Sequence, residues 1–251
     1  MAKSRIVFLD IENSPSLGWA WGKYDQNIID FKTDWYLLSF AWKWADETIV
    51  RVKGLIDYKN YIKNVEDDRQ LTQALWDVLD QADIVIGHNV DRFDIRKINT
   101  RFLAHGMPPP SPYKTVDTLK IARKYFKFDS NHLTDLGRCL GVGKKLTHTG
   151  FELWRGCMVG DKSCWRMMKR YNARDVILLE KVYYLLRAWA GNHPDVTNGE
   201  VGCPKCGSPR TQKRGISRTK KLVKQRYQCT KCGGWFEETI KKAFLAKAEG
   251  N

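Results

Sequence analysis

Ile6-Val7-Phe8-Leu9-Asp10-Ile11-Glu12 is the segment from which the architecture of this 251-residue chain follows. Its four leading apolar residues predict a short buried strand. Side chains alternate along a strand, so Asp10 and Glu12 project from the same face. Two carboxylates held side by side repel each other unless a cation lies between them, and oxygen ligands suit Mg²⁺ or Mn²⁺. The segment therefore predicts a metal site on a buried strand.

Further acids occur in two distant segments, Asn89-Val90-Asp91-Arg92-Phe93-Asp94 and Tyr171-Asn172-Ala173-Arg174-Asp175. Asp94 begins a predicted helix that follows a short apolar strand, which places it at the carboxyl edge of the sheet. Tyr171 and Asp175 are four residues apart on a predicted helix, so both project from one side. Two ions ~3.5–4 Å apart in such a cleft suffice for phosphodiester hydrolysis. The acids thus predict a two-metal phosphodiesterase.

The patterns over residues 1–190 predict a mixed α/β sheet flanked by helices. Asp117 is expected to cap the helix that follows it. Asp91 could cap the helix after the second acidic segment, whereas the spacing of that segment selects Asp94 as the site acid. Residues 191–200 are rich in Gly, Pro and Asn, which is typical of a linker. The predicted strands cover 6–10, 36–44, 48–55 and 83–87, and the predicted helices cover 67–81, 93–105, 117–126, 131–140 and 163–189.

The composition favours a globular protein with a polyanionic partner. A hydrophobic content of 43% is ample for a core, and no apolar run approaches the ~20 residues that span a bilayer. The net charge is +15, and residues 201–251 hold thirteen Lys or Arg against three Glu. Nucleic acid is therefore the expected partner, with no membrane association. The first strand follows the N-terminus too closely for a signal peptide, so we expect an intracellular, cytoplasmic protein of a bacterium or phage-infected cell.

Four of the seven cysteines form two CxxC motifs, Cys203-Pro204-Lys205-Cys206 and Cys229-Thr230-Lys231-Cys232, with 22 residues between them. Each motif directs two thiolates at one centre, and together they supply a tetrahedral structural Zn²⁺. Disulfides or redox-active pairs are the alternatives. An intracellular setting and the glycine after each motif favour zinc. Metal binding would then supply much of the folding energy of this small module.

The segment between the two motifs predicts a basic hairpin that contacts nucleic acid. Its strand Tyr227-Gln228-Cys229 resembles that of zinc ribbons in transposases and transcription factors. Tyr227, Trp235 and Phe236 either stack on bases or form the core of the ribbon. The predicted domains are 1–190, the linker 191–200, a four-cysteine zinc ribbon over 201–236 and a basic tail over 237–251. The expected backbone-binding side chains are Arg214, Arg218, Lys220, Lys221, Lys224 and Arg226.

Taken together, the three acidic motifs resemble those of the DEDD superfamily of 3′–5′ exonucleases, in the tyrosine subgroup that includes family-B polymerase proofreading domains. The motifs are Asp-x-Glu, Asn-x₂₋₃-(Phe/Tyr)-Asp and Tyr-x₃-Asp, and they occur in that order. The histidine subgroup has a histidine where this chain has Arg170. The resemblance covers roughly residues 5–190 and implies a ribonuclease H-like fold, to which the chain adds a small C-terminal zinc ribbon.

The resemblance also implies roles for the acids. Asp10, Glu12 and Asp175 would bind the catalytic Mg²⁺ or Mn²⁺, and Asp10 with Asp94 would bind a second ion. Tyr171 would position the attacking water.

Two further residues of the second motif would contact the substrate. By the same resemblance, Asn89 and Phe93 would support the scissile end of the nucleic acid. Core packing for Phe93 and a turn role for Asn89 are the alternatives.

These observations predict a metal-dependent 3′–5′ exonuclease. Its cofactors would be two catalytic Mg²⁺ or Mn²⁺ ions and one structural Zn²⁺. Single-stranded or 3′-ended DNA is the favoured substrate, and RNA is possible. A non-catalytic nucleic-acid-binding protein and a structure-specific endonuclease, both on the same fold, are the alternatives.

Overall fold

The computed structural model describes residues 4–22, 24, 27–219 and 222–240. The chain divides into two compact units, one over Arg5–Tyr183 and the other formed by Met1–Ser4 with Tyr184–Asn251. Lys220, Lys221 and residues 241–251 of the predicted basic tail lie outside the described residues.

The unit over Arg5–Tyr183 is built on a mixed sheet, which confirms the predicted fold class. The described strands of this unit are β1 (Ile6–Asn13), β2 (Leu17–Trp19), β3 (Asp30–Thr33), β4 (Leu37–Trp44), β5 (Arg51–Gly54), β6 (Ile84–Gly87) and β7 (Lys114–Asp117). Five of them form the mixed sheet in the order β5-β4-β1-β6-β7, and β2 and β3 pair separately. The central strand β1 pairs antiparallel with β4 and parallel with β6, and β6 pairs parallel with β7.

Helices cover this sheet and complete its core. Val7, Phe8 and Leu9 of β1 are at most 1% exposed, as expected for a central strand with both faces covered. Among the described helices, none is long and apolar enough to cross a bilayer. The helices are α1 (Arg69–Leu79), α2 (Asp94–Ala104), α3 (Thr118–Tyr125), α4 (Leu133–Cys139), α5 (Phe151–Met158) and α6 (Lys162–Leu186).

Several elements differ from the sequence-based expectations, and α5 is a helix that the sequence patterns did not predict. The strand predicted over 48–55 is confined to Arg51–Gly54, where the chain pairs with β4. β7 contains a single aliphatic residue, Val116, so its pattern is too weak to predict a strand, and pairing with β6 defines it. The hairpin of β2 and β3 was not predicted either, because its apolar side chains are exposed and neither strand has a buried face.

The carboxyl ends of β1, β6 and β7 meet at one edge of the sheet, because these strands are parallel. The loop after β6 turns sharply at Asn89, which has φ +64°. Asp117 holds this turn, since its Oδ1 accepts hydrogen bonds from the N–H groups of Asn89 and Leu119, both at 2.9 Å. Asp117 thus caps α3 as predicted and also positions the loop that leads to Asp94.

The described part of the second unit contains an antiparallel sheet of order β10-β9-β8. Its strands are β8 (Thr211–Arg218), β9 (Val223–Cys229) and β10 (Trp235–Thr239). A bulge lies between Lys213 and Ile216, where Gly215 adopts φ +82°. Such a left-handed conformation favours glycine. Most side chains of β8 are exposed, so this sheet has little core of its own.

Candidate active site

Three of the predicted acids lie together at the carboxyl edge of the sheet. One carboxylate oxygen from each of Asp10, Glu12 and Asp175 lies within 4.8 Å of the other two. The first two acids project from β1 and are half-buried, and Asp175 projects from α6 and is 1% exposed. The structure therefore brings together residues that are more than 160 positions apart in the chain.

Asp94 lies beside this acid cluster rather than within it. Its Oδ1 accepts a hydrogen bond from the backbone N–H of Ile11 at 3.3 Å, between the two acids of β1. It is 4% exposed at the first residue of α2. Its charge contributes to the raised pKa of Asp10. Asp94 is thus close enough for its charge to act on Asp10.

Three carboxyl groups, those of Asp10, Glu12 and Asp94, do not ionise readily in this arrangement. Burial, followed by repulsion from Asp175, raises the pKa of Glu12 to about 8. Burial also raises the pKa of Asp94 to about 7, and the same two causes raise that of Asp10 well above its ordinary range. One pKa unit corresponds to about 1.4 kcal/mol. A bound cation would favour the charged forms of these groups and so lower their pKa values.

An orphaned oxygen at the centre of the site fits the same cation. Asp175 Oδ1 is buried and has no hydrogen-bond partner among the described residues. A buried carboxylate oxygen without a partner is costly, and a bound cation would satisfy it. The donor set consists of oxygens only, as Mg²⁺ and Mn²⁺ prefer. The residues present therefore fit a divalent cation.

Lys145, in the loop between α4 and α5, supplies positive charge to the site. Its Nζ lies 2.5 Å from Asp175 Oδ2 and 3.1 Å from the Tyr171 hydroxyl. Burial opposes its charge, but attraction by Asp175 and Asp10 outweighs burial and raises the pKa of Lys145. Sequence reasoning missed this role, because a lysine in a basic loop carries no spacing that relates it to the acids.

Replacing Lys145 by Met should destabilise the metal-free protein and strengthen its response to Mn²⁺. The change leaves the buried Asp175 without a counter-charge, which we expect to cost about 1–2 kcal/mol, or roughly 2–8 °C in Tm. It also removes a cation that repels the metal. Thermal unfolding with and without Mn²⁺ measures both effects. Lys144→Met, at the exposed neighbouring position, should change neither, and equal behaviour of the two variants would contradict the assignment.

Tyr171 is held by aromatic neighbours and faces the acid cluster. The rings of His148 and Trp154 meet it edge-on, with centroids 4.8 and 6.1 Å away. Burial, followed by the charge of Asp175, raises the pKa of Tyr171, so its hydroxyl stays protonated at neutral pH. It can therefore orient a water molecule but cannot act as a base. Trp154 also hydrogen-bonds the Glu12 carboxylate, which limits the rise in the pKa of that acid.

Asn172 positions Asp10 and was not identified from the sequence. Its Nδ2 donates to Asp10 Oδ2 at 2.6 Å and to the Asp10 carbonyl at 3.2 Å. Its own Oδ1 accepts from the Ser39 hydroxyl at 3.1 Å. Asn172 is fully buried, and an amide on the buried side of a helix is the feature that could have drawn attention to it.

A groove of about 620 Å³ opens beside Asp10. Asn89 lines it, whereas Phe93 is 41% exposed at the start of α2. His88 also lines the groove. Its two ring nitrogens form hydrogen bonds with Thr118 Oγ1 and with the Asn131 carbonyl, each at 2.9 Å. Burial lowers the pKa of His88 to about 4, so it is neutral and structural. Cationic groups on the lining are Arg123 and Lys145.

The four grouped cysteines lie together in the second unit. All four Sγ atoms lie within 4.8 Å of one another, and the Cys203–Cys232 and Cys206–Cys229 pairs are both 3.7 Å apart. A disulfide needs about 2.05 Å, whereas a tetrahedron of sulfurs with bonds of about 2.3 Å to zinc has edges of about 3.8 Å. The cluster therefore fits a zinc ribbon, and none of its four cysteines forms a disulfide.

The basic side chains predicted to bind nucleic acid divide between the strands of the ribbon. Arg214 lies at the bulge of β8, and Arg218 ends that strand. On β9, Lys224 pairs with Glu237 at 3.3 Å, and Arg226 lies opposite Glu237 in the register. The β8 edge therefore carries the less compensated positive charge.

The aromatic residues of the ribbon differ in exposure. Tyr227 and Phe236 stack on each other, with centroids 5.1 Å apart and planes at 10°. Trp235 is 49% exposed.

The fold and the acid cluster together define a ribonuclease H-like α/β protein with a candidate divalent-metal site. Residues 34–187 match the family model described as RNase_H superfamily, and the chain belongs to that superfamily. Membership supports a nuclease-type function on nucleic acid. The matched segment contains Asp94 and Asp175 but begins after Asp10 and Glu12.

Among solved structures, the chain is similar to the family B DNA polymerase from the hyperthermophilic archaeon Pyrobaculum calidifontis. The TM-score is 0.55 with 18% identity, over 74% of this chain and 26% of the polymerase. The chain thus spans about a quarter of that protein, and the likeness shows the fold. No curated protein matches the sequence.

Proposed function

We propose that this chain is a metal-dependent 3′–5′ exonuclease of the tyrosine-type DEDD subgroup, acting on DNA or RNA. The observation that carries this proposal is the convergence of the Asp10, Glu12 and Asp175 carboxylates. The buried Oδ1 of Asp175 has no hydrogen-bond partner among the described residues, so it is available to a metal ion. Tyr171 and Asp94 beside them complete the residue set of that subgroup. Membership of the RNase_H superfamily and a fold shared with a DNA polymerase support the proposal.

Each acid has a distinct place in the proposed mechanism. Asp10, Glu12 and Asp175 would hold one divalent ion, and Asp10 with Asp94 a second. When bound, such ions activate water and stabilise the leaving 3′ oxygen. Asn172 fixes the orientation of the Asp10 carboxylate that both ions would share.

Tyr171, Trp154 and Lys145 would position the water, the metal ligands and the phosphate for the reaction. The protonated Tyr171 hydroxyl orients the attacking water, and Trp154 holds Glu12 in place. Lys145 would release Asp175 on metal binding and attract the phosphate, since its ammonium stays charged. Asn89 lines the groove that would receive the 3′ end.

The four-cysteine module would be a zinc ribbon with a structural ion that takes no part in cleavage. Its proposed role is to hold nucleic acid through the predicted basic side chains, with Arg214 and Arg218 contributing most because they lie on the β8 edge. We retain the proposed limits of 1–190 for the nuclease domain and 201–236 for the ribbon, and a cytoplasmic location.

Oligonucleotides labelled at either end test the polarity of the reaction. With Mn²⁺ or Mg²⁺, a 5′-labelled single strand should give a ladder of progressively shorter products. A 3′-labelled strand should release labelled mononucleotide at once. Internal cuts would instead assign a structure-specific endonuclease, and binding without cleavage would assign a non-catalytic binding protein. Matched DNA and RNA strands, single and double, identify the substrate.

A further inference from the structure

The described residues within 14–35, which are 14–22, 24 and 27–35, belong to an arm that extends directly from the strand carrying the acids. β1 ends at Asn13, one residue after the acid cluster. The base of the arm is closed by two hydrogen bonds of 2.9 Å, from Ser14 N–H to the Tyr36 carbonyl and from Tyr36 N–H to Ser14 Oγ. Above this base, β2 and β3 pair antiparallel. The arm is therefore anchored at the carboxyl edge of the sheet.

The arm exposes apolar side chains that a folded protein usually buries. Trp21 and Tyr24 are 87% and 86% exposed, and Trp19 is 62% exposed. Exposed apolar side chains concentrated on one segment are typical of a binding surface. Within the described residues of the arm, the exposed large hydrophobic residues are Leu17, Trp19, Trp21, Tyr24, Ile28, Ile29 and Phe31.

A cation held between two rings connects the arm to the acid cluster. Lys97 Nζ lies 3.8 Å from the ring centroid of Trp35, two residues beyond β3, and 5.4 Å from that of Phe93. Phe93 directly precedes Asp94. Arg92 and Arg96 are exposed on the same part of the chain. Aromatic faces interleaved with cations are typical of surfaces that bind single-stranded nucleic acid.

We propose that the arm, together with Trp35, Phe93 and Lys97, binds unpaired bases of the substrate strand by stacking. Aromatic faces accept any base, which suits an enzyme that works along a strand. The described residues of the arm include one Lys and two Asp, so the arm offers no net positive charge to phosphates. Phosphates would be met by Lys97, Arg92 and Arg96. The arm directly follows the strand that carries Asp10 and Glu12, which favours the substrate strand over a protein partner as its ligand. The identity of that strand as a substrate rests on the proposed function.

Abasic oligonucleotides separate stacking from phosphate binding. The full-length Asp10→Asn chain, which keeps its ribbon, is titrated without added Mg²⁺ or Mn²⁺ with fluorescent single strands. The strands differ in the position of a block of three abasic nucleotides, which is shifted stepwise from one strand to the next. At one or more positions, loss of the bases should weaken binding roughly tenfold or more. Adding Trp19→Ala and Trp21→Ala should reduce that difference to less than about twofold, with intact and abasic strands bound alike.

Phe151→Ala provides the matched control, because Phe151 is also 62% exposed but lies on α5. It should keep the wild-type dependence on bases. Identical dependence in the tryptophan variant and the control would overturn the proposal. A second outcome would also overturn it. If the tryptophan variant bound DNA as tightly as wild type but lost a dimer that sedimentation detects in the wild type, the arm would bind a second copy of the chain instead. Hydrolysis by the wild-type chain is measured separately. Base-dependent binding without hydrolysis would therefore refute the proposed nuclease activity but not the proposed role of the arm.

Discussion

Asp10→Asn is expected to abolish hydrolysis while stabilising the metal-free protein. The asparagine keeps an oxygen for the hydrogen bond from Asn172 but removes the charge that repels Glu12 and Asp175. It also removes the carboxylate that both ions would share. We expect single-turnover cleavage to fall roughly 10³-fold or more, because the ions supply several kcal/mol of transition-state stabilisation. Relief of repulsion should raise Tm by about 2–4 °C.

The opposite signs of these two effects distinguish a functional acid from a structural one. Asp91→Asn is the matched control, since Asp91 lies in the second motif but pairs with Lys120 at 2.6 Å near the surface. Its cleavage rate should stay within about twofold of wild type. Retention of more than a tenth of the activity by Asp10→Asn, or a fall in its Tm, would contradict the assignment.

Cys203→Ser is expected to release the structural metal and unfold the ribbon. Structural zinc contributes on the order of 10 kcal/mol to folding, and the exposed strands of the ribbon offer little to replace it. The variant should lose one equivalent of bound zinc and the hydrogen-exchange protection of β9. Its affinity for single-stranded DNA at low salt should fall about 10- to 100-fold, because the basic strands would no longer be held together.

Cys139→Ser separates this effect from general thiol loss. Cys139 is exposed at the end of α4 and lies outside the four-cysteine cluster. Its zinc content, exchange protection and affinity should match wild type. Unchanged protection of β9 in Cys203→Ser would show that the ribbon folds without metal, and the proposed role of the cysteines would fail.

Local patterns were sufficient to predict the centre of the fold. The apolar run of β1 is buried because it pairs on both sides, and its alternation placed Asp10 and Glu12 on one face. Helical spacing likewise predicted Asp175 on one side of α6. Asp117 was predicted as a cap because an aspartate before a helix bonds its first N–H groups, and it does so here. Each prediction depended on neighbours within a few residues.

Features that depend on distant contacts were not predictable in the same way. Lys145 reaches Asp175 across 30 positions, and Asn172 reaches Asp10 across 162. No local period relates such pairs, so only the folded chain reveals them. The arm was not predicted for another reason: the large apolar side chains among its described residues are exposed, which a pattern based on burial does not anticipate.

Anomalous diffraction from a crystal of the full chain soaked in Mn²⁺ tests the central claim most directly. The account predicts two manganese peaks, one bound by oxygens of Asp10, Glu12 and Asp175 and the other between Asp10 and Asp94. It also predicts that Lys145 moves away from Asp175. Absence of manganese from the acid cluster at saturating concentration, with Lys145 still paired to Asp175, would contradict it.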